Sequence, residues 1–154
     1  ANRSVEPLLR RNAGIAEDSD RTSIDFAAIW YGDRERVDFL VGNDIVSNRV
    51  VGSPGSETVS VPARTLGQIL REHAITGRYS LVCDIEGAEY DLIEKDREAL
   101  ENCRVIVVEI HPGAFHASGR KVRDWLRLFH EAGFEHVETS RDVIVGRKPA
   151  TPAN

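Results

Sequence analysis

The chain has 154 residues, of which 41% are hydrophobic, and a formal net charge of -5 at pH 7. This size and composition belong to a globular protein large enough to bury a core. The acidic balance argues against a nucleic-acid binder, and no apolar stretch approaches the roughly 20 residues that a membrane span needs.

The first part of the chain is predicted to contain one helix and three strands. Apolar residues at helical spacing indicate a short amphipathic helix at residues 4–12. Residues 22–31 suit a mostly buried strand, and residues 37–41 suit a second one. Residues 42–58 are rich in Gly, Ser, Asn and Pro and therefore predict a surface loop. A short returning strand is expected at residues 59–61.

The second part alternates strands with helices. Thr65 and Gln68 have the spacing of a capping box, which predicts a helix that runs to His73. The elements expected after it are, in order, a strand at 79–85, a helix at 89–100, a strand at 105–110 covered on both faces, a helix capped by Ser118 and ended by Gly133, and antiparallel strands at 134–137 and 143–145. This order predicts an α/β sheet with right-handed crossovers.

One domain is expected over residues 1–147, followed by a disordered tail at 148–154. Cys83 and Cys103 each lie in or beside an apolar run, which predicts reduced, buried thiols. The first residues are polar and charged, unlike a signal peptide. These features predict a cytoplasmic location.

Acidic residues follow two successive predicted parallel strands. Asp84 and Glu86 end the first strand, and Glu109 ends the second, with His111 just beyond it. Because the carboxyl ends of parallel strands lie at one edge of a sheet, these four side chains are expected to converge on one crevice. Gly87 allows the backbone to turn sharply there and to approach a ligand closely.

Each of these side chains also has a structural explanation. Asp84 and Glu109 interrupt apolar runs, where an unpaired carboxylate is costly. A functional role is therefore favoured for Asp84, whereas functional and structural roles are equally supported for Glu109. His111 is either a general base or a loop histidine. Glu89 is explained by the preference for carboxylates in the first turn of a helix. The cluster matches no recognised metal signature, so we predict no metal site.

Residues 84–89 read Asp-Ile-Glu-Gly-Ala-Glu, and residues 109–111 read Glu-Ile-His. This pair of segments resembles the hallmark of the FkbM family of S-adenosylmethionine-dependent methyltransferases. Supporting similarities lie at residues 1–2, 8–12, 28–29, 32–33, 61–62 and 65–66. The resemblance implies a class I, Rossmann-like methyltransferase fold with a terminal antiparallel hairpin. It further implies methyl transfer from S-adenosylmethionine to a hydroxyl group of a sugar or natural-product acceptor.

The resemblance also implies roles for individual residues. Asn2 would lie near the cofactor ribose, Ala28 near the adenine, and Asp84 with Glu86 near the methyl group and the acceptor. Asp84 or His111 would be the base that takes the proton of the acceptor hydroxyl, and Glu109 would lie beside them.

The first strand, glycine-rich cofactor loop and following helix of the family would precede Ala1. We therefore expect weak or no cofactor binding by these 154 residues alone, and an exposed sheet edge through which two copies could pair. Two alternatives stay open. One is a noncatalytic domain of the same fold that acts through a partner, and the other is a metal-dependent enzyme that uses the acidic crevice.

Overall fold

The computed structural model describes residues 6–15, 22–40, 49–50 and 58–149. The chain divides into two compact units. The first comprises Ala1–Ala28 and Gly32–Arg64, and the second comprises Ile29–Tyr31 and Thr65–Asn154. No helix in the described ranges is both long and apolar enough to cross a membrane.

The first sheet is small, and each strand pairing described for it is antiparallel. The elements in this part of the chain are α1 (Glu6–Ile15), β1 (Ala28–Ile29), β2 (Arg36–Leu40), β3 (Arg49–Val50) and β4 (Thr58–Arg64). The strand order is β1-β4-β2-β3, and Val37 pairs with Val61. Both valines are buried. The strand expected at residues 22–31 is reduced to Ala28–Ile29, because β propensity forms a strand only where a partner strand completes the ladder.

The second unit contains a four-stranded sheet and the remaining helices. Its elements are α2 (Leu66–Glu72), β5 (Tyr79–Cys83), α3 (Glu89–Lys95), a 3-10 helix (Ala99–Asn102), β6 (Cys103–Glu109), α4 (Pro112–Ala117), α5 (Val122–Glu131), β7 (Glu135–Ser140) and β8 (Val143–Arg147). The strand order is β5-β6-β8-β7. β5 and β6 are parallel, and the other two pairs are antiparallel. The described chain is thus of the mixed α/β class, with the expected antiparallel pair at its end.

The core of the second unit lies against one face of this sheet. Phe129 of α5 stacks between Trp125 and Phe134, with ring centroids 5.1 Å and 5.0 Å away. Ile106 supplies the sheet side of the same buried cluster. Gly146 of β8 lies so close to the Phe129 ring that a Cβ atom there would collide with it. The aromatic side chains of α5 are therefore part of the core.

The opposite face of the sheet is more exposed. Along β6, Ile106 and Val108 are buried, whereas Val105 is 38% exposed, and Val82 on the neighbouring β5 is 81% exposed. The prediction that β6 is covered on both faces is therefore wrong for the described residues. An uninterrupted apolar run gives no information about which face receives a helix.

The end of α3 differs from the sequence prediction. α3 ends at Lys95 rather than at residue 100, because the Asp96 carboxylate turns away to accept hydrogen bonds from the Tyr31 hydroxyl (3.1 Å) and the Gly67 N–H (2.9 Å).

The capping box at Thr65 is confirmed: its hydroxyl accepts from the Gln68 N–H at 3.2 Å. The reciprocal bond to the Gln68 side chain is also present.

Ser118 does not cap α5, which begins at Val122 after Lys121. It instead ends α4, a helix that the sequence pattern did not predict, and its hydroxyl donates to the carbonyl groups of Ala114 (3.2 Å) and Phe115 (2.9 Å). Pro112 begins α4, where its missing N–H and fixed φ are tolerated. The cysteine prediction is confirmed, since Cys83 and Cys103 are free and buried.

The predicted tail begins with an ordered contact. The Lys148 N–H donates to the Arg104 carbonyl at 2.9 Å, and Lys148 Nζ donates to the Leu100 carbonyl at 2.8 Å. Residues 150–154 lie outside the described part of the chain, as do residues 4 and 5 of the predicted first helix and most of the predicted loop at 42–58.

Candidate functional site

The candidate site is built on the turn that joins β5 to α3. The turn contains Glu86 with φ of 54° and Gly87 with φ of 107°. A Cβ atom at Gly87 would lie 2.7 Å from the Cβ of Ala114, so only glycine fits. For a residue with a side chain, such as Glu86, the left-handed conformation costs roughly 1–2 kcal/mol. The sharp turn that the sequence predicted is present, and the surrounding contacts must hold it.

Glu89 holds this turn in place. It is the first residue of α3, and its side chain is fully buried. Its Oε1 accepts from the N–H groups of Ile85 and Gly87, both at 3.1 Å, and its Oε2 accepts from the same Gly87 N–H at 3.0 Å. The sequence predicted only that Glu89 supports the start of the helix. Its carboxylate also accepts hydrogen bonds from backbone N–H groups of the turn.

His111 follows β6 and lies between carboxylates. Its Nδ1 is 3.0 Å from Glu89 Oε1. Its Nε2 is 3.4 Å from Glu86 Oε2 and 3.7 Å from Asp84 Oδ1. The His111 side chain is 23% exposed and that of Asp84 is 58% exposed, so the Nε2 side of the ring borders solvent. Three of the four residues predicted as catalytic, Asp84, Glu86 and His111, are thus brought together.

Glu109 is not part of this group. It is exposed at the end of β6 and pairs with Val143 of β8. Because side chains alternate along a strand, Glu109 lies on the face of Val105 and Val107, opposite to the buried Val108. The sequence placed Glu109 at the correct edge of the sheet, but Glu109 is absent from the group of Asp84, Glu86 and His111, whose ligand atoms lie within 4.8 Å of one another.

The same three residues are close enough together to form a candidate cation site. Asp84, Glu86 and His111 each offer one ligand atom, and these atoms lie within 4.8 Å of one another. Two carboxylate oxygens and one imidazole nitrogen are suited to a divalent first-row metal. The sequence showed no recognised spacing for such a site, because the ligands come from two different loops.

Besides Asp84, the resemblance assigns Asn2 and Ala28 to the cofactor. Asn2 is outside the described residues. Ala28 is 5% exposed and belongs to the first compact unit. Both assignments therefore stay predictions that rest on the resemblance.

Helix α3 is fixed by contacts from α5 and from the loop before it. The indole Nε1–H of Trp125 donates to the Glu89 carbonyl at 3.0 Å. Arg120 donates to Asp91 Oδ1 at 2.9 Å, and its guanidinium lies 4.4 Å from the centre of the Tyr90 ring. Burial opposes ionisation of Asp91, but the hydrogen bonds from Arg120 and Lys95 outweigh it and lower the pKa of this carboxyl. No sequence pattern predicts the contacts from Trp125 and Arg120, because they join residues distant along the chain.

A comparison with protein-family models matches residues 2–136 to the family described as the methyltransferase FkbM domain. No curated protein and no solved structure gives a significant match. The match covers both strands that carry the candidate site, and it confirms the resemblance found in the sequence.

Proposed function

Because the chain belongs to the FkbM methyltransferase domain family, we propose that it transfers a methyl group from S-adenosylmethionine to a hydroxyl group of a small-molecule acceptor such as a sugar or natural product. The family match over residues 2–136 is the observation that carries this proposal. The cluster of Asp84, Glu86 and His111 lies within the matched segment and supplies groups that such a reaction can use.

The charge of the cluster suits the proposed cofactor. S-adenosylmethionine supplies an electrophilic methyl group on a positively charged sulfonium. Asp84 and Glu86 place two partly exposed carboxylates beside each other, with side chains 58% and 33% exposed. A cation is attracted to such a pair, and the attraction is stronger where water is partly excluded. These residues therefore fit a cationic donor.

A hydroxyl acceptor must also lose its proton. In the transfer, a bond forms between the acceptor oxygen and the methyl carbon, the bond from that carbon to sulfur breaks, and the hydroxyl proton passes to a base. His111 Nε2 and the Asp84 carboxylate are the two candidates for this base, since both border solvent at the end of their strands. Aligning the acceptor and accepting its proton are the contributions expected from the protein.

The acidic cluster also bears on the class of acceptor. An acceptor that carries a carboxylate or phosphate near the reacting atom would be repelled by Asp84 and Glu86. A carboxylate acceptor would moreover need no base. A neutral or cationic hydroxylated molecule fits both features of the site.

A second candidate is supported by the ligand geometry of Asp84, Glu86 and His111, whose donor atoms lie within 4.8 Å of one another. In this alternative the three residues hold a divalent cation and the enzyme is metal-dependent. Titration of metal-free protein with Mn²⁺ separates the two cases. Stoichiometric binding that Asp84→Asn abolishes supports the cation site. Absence of binding favours the first proposal, in which the three side chains act on the acceptor.

The proposed function is tested by label transfer. The full-length gene product is incubated with S-adenosylmethionine labelled in its methyl group and with paired acceptors, one bearing a neutral hydroxyl and the other a carboxylate at the same position. We expect label in the hydroxylated acceptors. Preferential labelling of the carboxylates, or no labelling of any hydroxylated acceptor, would contradict the proposal.

A further inference from the structure

We propose that Glu89 is a positioning residue that holds His111 in one tautomer, with the proton on Nδ1 and with Nε2 free to accept a proton. In this arrangement His111, rather than Asp84, takes the proton of the acceptor hydroxyl. The catalytic role of His111 therefore rests on the proposed methyl transfer. Helix support alone does not explain why this carboxylate contacts the imidazole.

The Glu89 carboxylate has a fixed position. Its side chain is fully buried, and both of its oxygens accept backbone N–H groups of the turn. A side chain held by hydrogen bonds from Ile85 and Gly87 has little rotational freedom. Its Oε1 therefore remains pointed at the imidazole ring of His111, 3.0 Å from Nδ1.

The proton at this contact comes from the histidine. An ionised carboxylate has no proton and only accepts hydrogen bonds, and the two oxygens of Glu89 already act as acceptors toward the backbone. With Glu89 as the acceptor, Nδ1 of His111 is the donor in the proposed arrangement. A neutral imidazole has one ring proton, so a proton on Nδ1 leaves Nε2 unprotonated.

The Nε2 atom of His111 faces two further carboxylates. It lies 3.4 Å from Glu86 Oε2 and 3.7 Å from Asp84 Oδ1. When Nε2 takes a proton, the ring becomes positive beside these carboxylates, and the opposite charges stabilise it. Asp84 and Glu86 then serve as charge partners.

The tautomer can be measured without cofactor or acceptor. Long-range proton–nitrogen correlation spectra of the uniformly ¹⁵N-labelled chain in EDTA show which ring nitrogen of each histidine carries the proton. The His111 signals are identified by their loss in His111→Gln. His130 is an internal standard, because its Nδ1 lies 3.0 Å from the Phe134 carbonyl oxygen, which can only accept.

We expect the neutral His111 ring to show a protonated Nδ1 and an unprotonated Nε2, in the same pattern as His130. A proton on Nε2, an average of the two tautomers, or a ring that stays doubly protonated wherever the protein is folded would overturn the proposal. None of those results would contradict the proposed methyl transfer, since the measurement uses neither S-adenosylmethionine nor an acceptor.

Two variants separate positioning from general structural support. Glu89→Ala removes the acceptor, so His111 should lose its preference for a proton on Nδ1 while His130 keeps its own. Asp84→Asn is the matched control, because it removes a neighbouring charge on the other side of the ring and should leave the tautomer unchanged. An unchanged tautomer in folded Glu89→Ala would also overturn the proposal. If that variant does not fold, the wild-type and Asp84→Asn spectra decide.

Discussion

At the scale of single residues, Gly87 is the most constrained position of the candidate site. Its φ of 107° and the 2.7 Å that would separate an added Cβ atom from the Ala114 Cβ both exclude a larger residue. Gly87→Ala should lower the free energy of unfolding by at least about 1–2 kcal/mol, the usual cost of the left-handed region for a residue with a Cβ atom. Urea unfolding measures this change. Gly113→Ala is the control, since among the described residues no atom beyond its chain neighbours and its own helix backbone lies within 4 Å of an added Cβ there; equal losses in both variants would contradict the tight fit at Gly87.

The two cysteines give a second prediction at this scale. Burial raises the pKa of both thiols, that of Cys103 to about 11, so little reactive thiolate exists near neutral pH. Both should resist a thiol reagent in the folded protein and react once urea unfolds it. Mass spectrometry after timed labelling provides the measurement. Rapid modification of Cys83 or Cys103 in the native state would show that the core opens more readily than the structure indicates.

The sequence predicted part of the site at this scale. Carboxylates directly after one predicted strand, with a histidine after the next one, were enough to place Asp84, Glu86 and His111 at one sheet edge. The role of Glu89 could not be found this way. It depends on backbone N–H groups that converge only because Glu86 and Gly87 both have positive φ, and that conformation is unusual for a residue such as Glu86.

At the scale of elements, the attachment of α3 predicts a pH dependence. The pKa of Asp91 is lowered against the effect of burial by hydrogen bonds from Arg120 and Lys95. A carboxyl with a lowered folded-state pKa contributes stability above its unfolded-state pKa and loses that contribution as the pH falls through the folded-state value. The stability difference between wild type and Asp91→Asn should therefore shrink on acidification.

Urea midpoints of wild type and Asp91→Asn, compared at about pH 7 and below about pH 4, test this expectation. Glu94, which lies 3.5 Å from Arg120, is a second carboxylate at the same guanidinium, so Glu94→Gln is the matched control. It should have the smaller effect at neutral pH. A difference for Asp91→Asn that stays constant with pH would contradict the assigned ion pair.

Elements with a local signal were predicted, and elements fixed by distant contacts were not. The capping box at Thr65 was sufficient to find α2, because both of its hydrogen bonds lie within one helical turn. The end of α3 depends on Asp96 reaching Gly67 and Tyr31, which are far away in sequence. α4 has only six residues, too few for a periodic pattern to stand out.

At the scale of the molecule, alternating strands and helices correctly predicted the mixed α/β class and the antiparallel pair β7 and β8. The coverage of β6 was not predictable, since an apolar run looks the same whether one face or both are buried. The class I methyltransferase arrangement remains a proposal that rests on membership in the FkbM methyltransferase domain family.

The role of His111 in methyl transfer is tested by comparing the methyl-transfer rates of the full-length gene product and its His111→Gln variant. Labelled S-adenosylmethionine and a hydroxylated acceptor are used. His116→Gln, which changes an exposed histidine of α4, is the matched control. We predict a fall in rate of about 10²- to 10⁴-fold for His111→Gln, the usual contribution of a general base, and no change for His116→Gln. Equal rates in all three proteins would contradict the claim that His111 belongs to a methyl-transfer site.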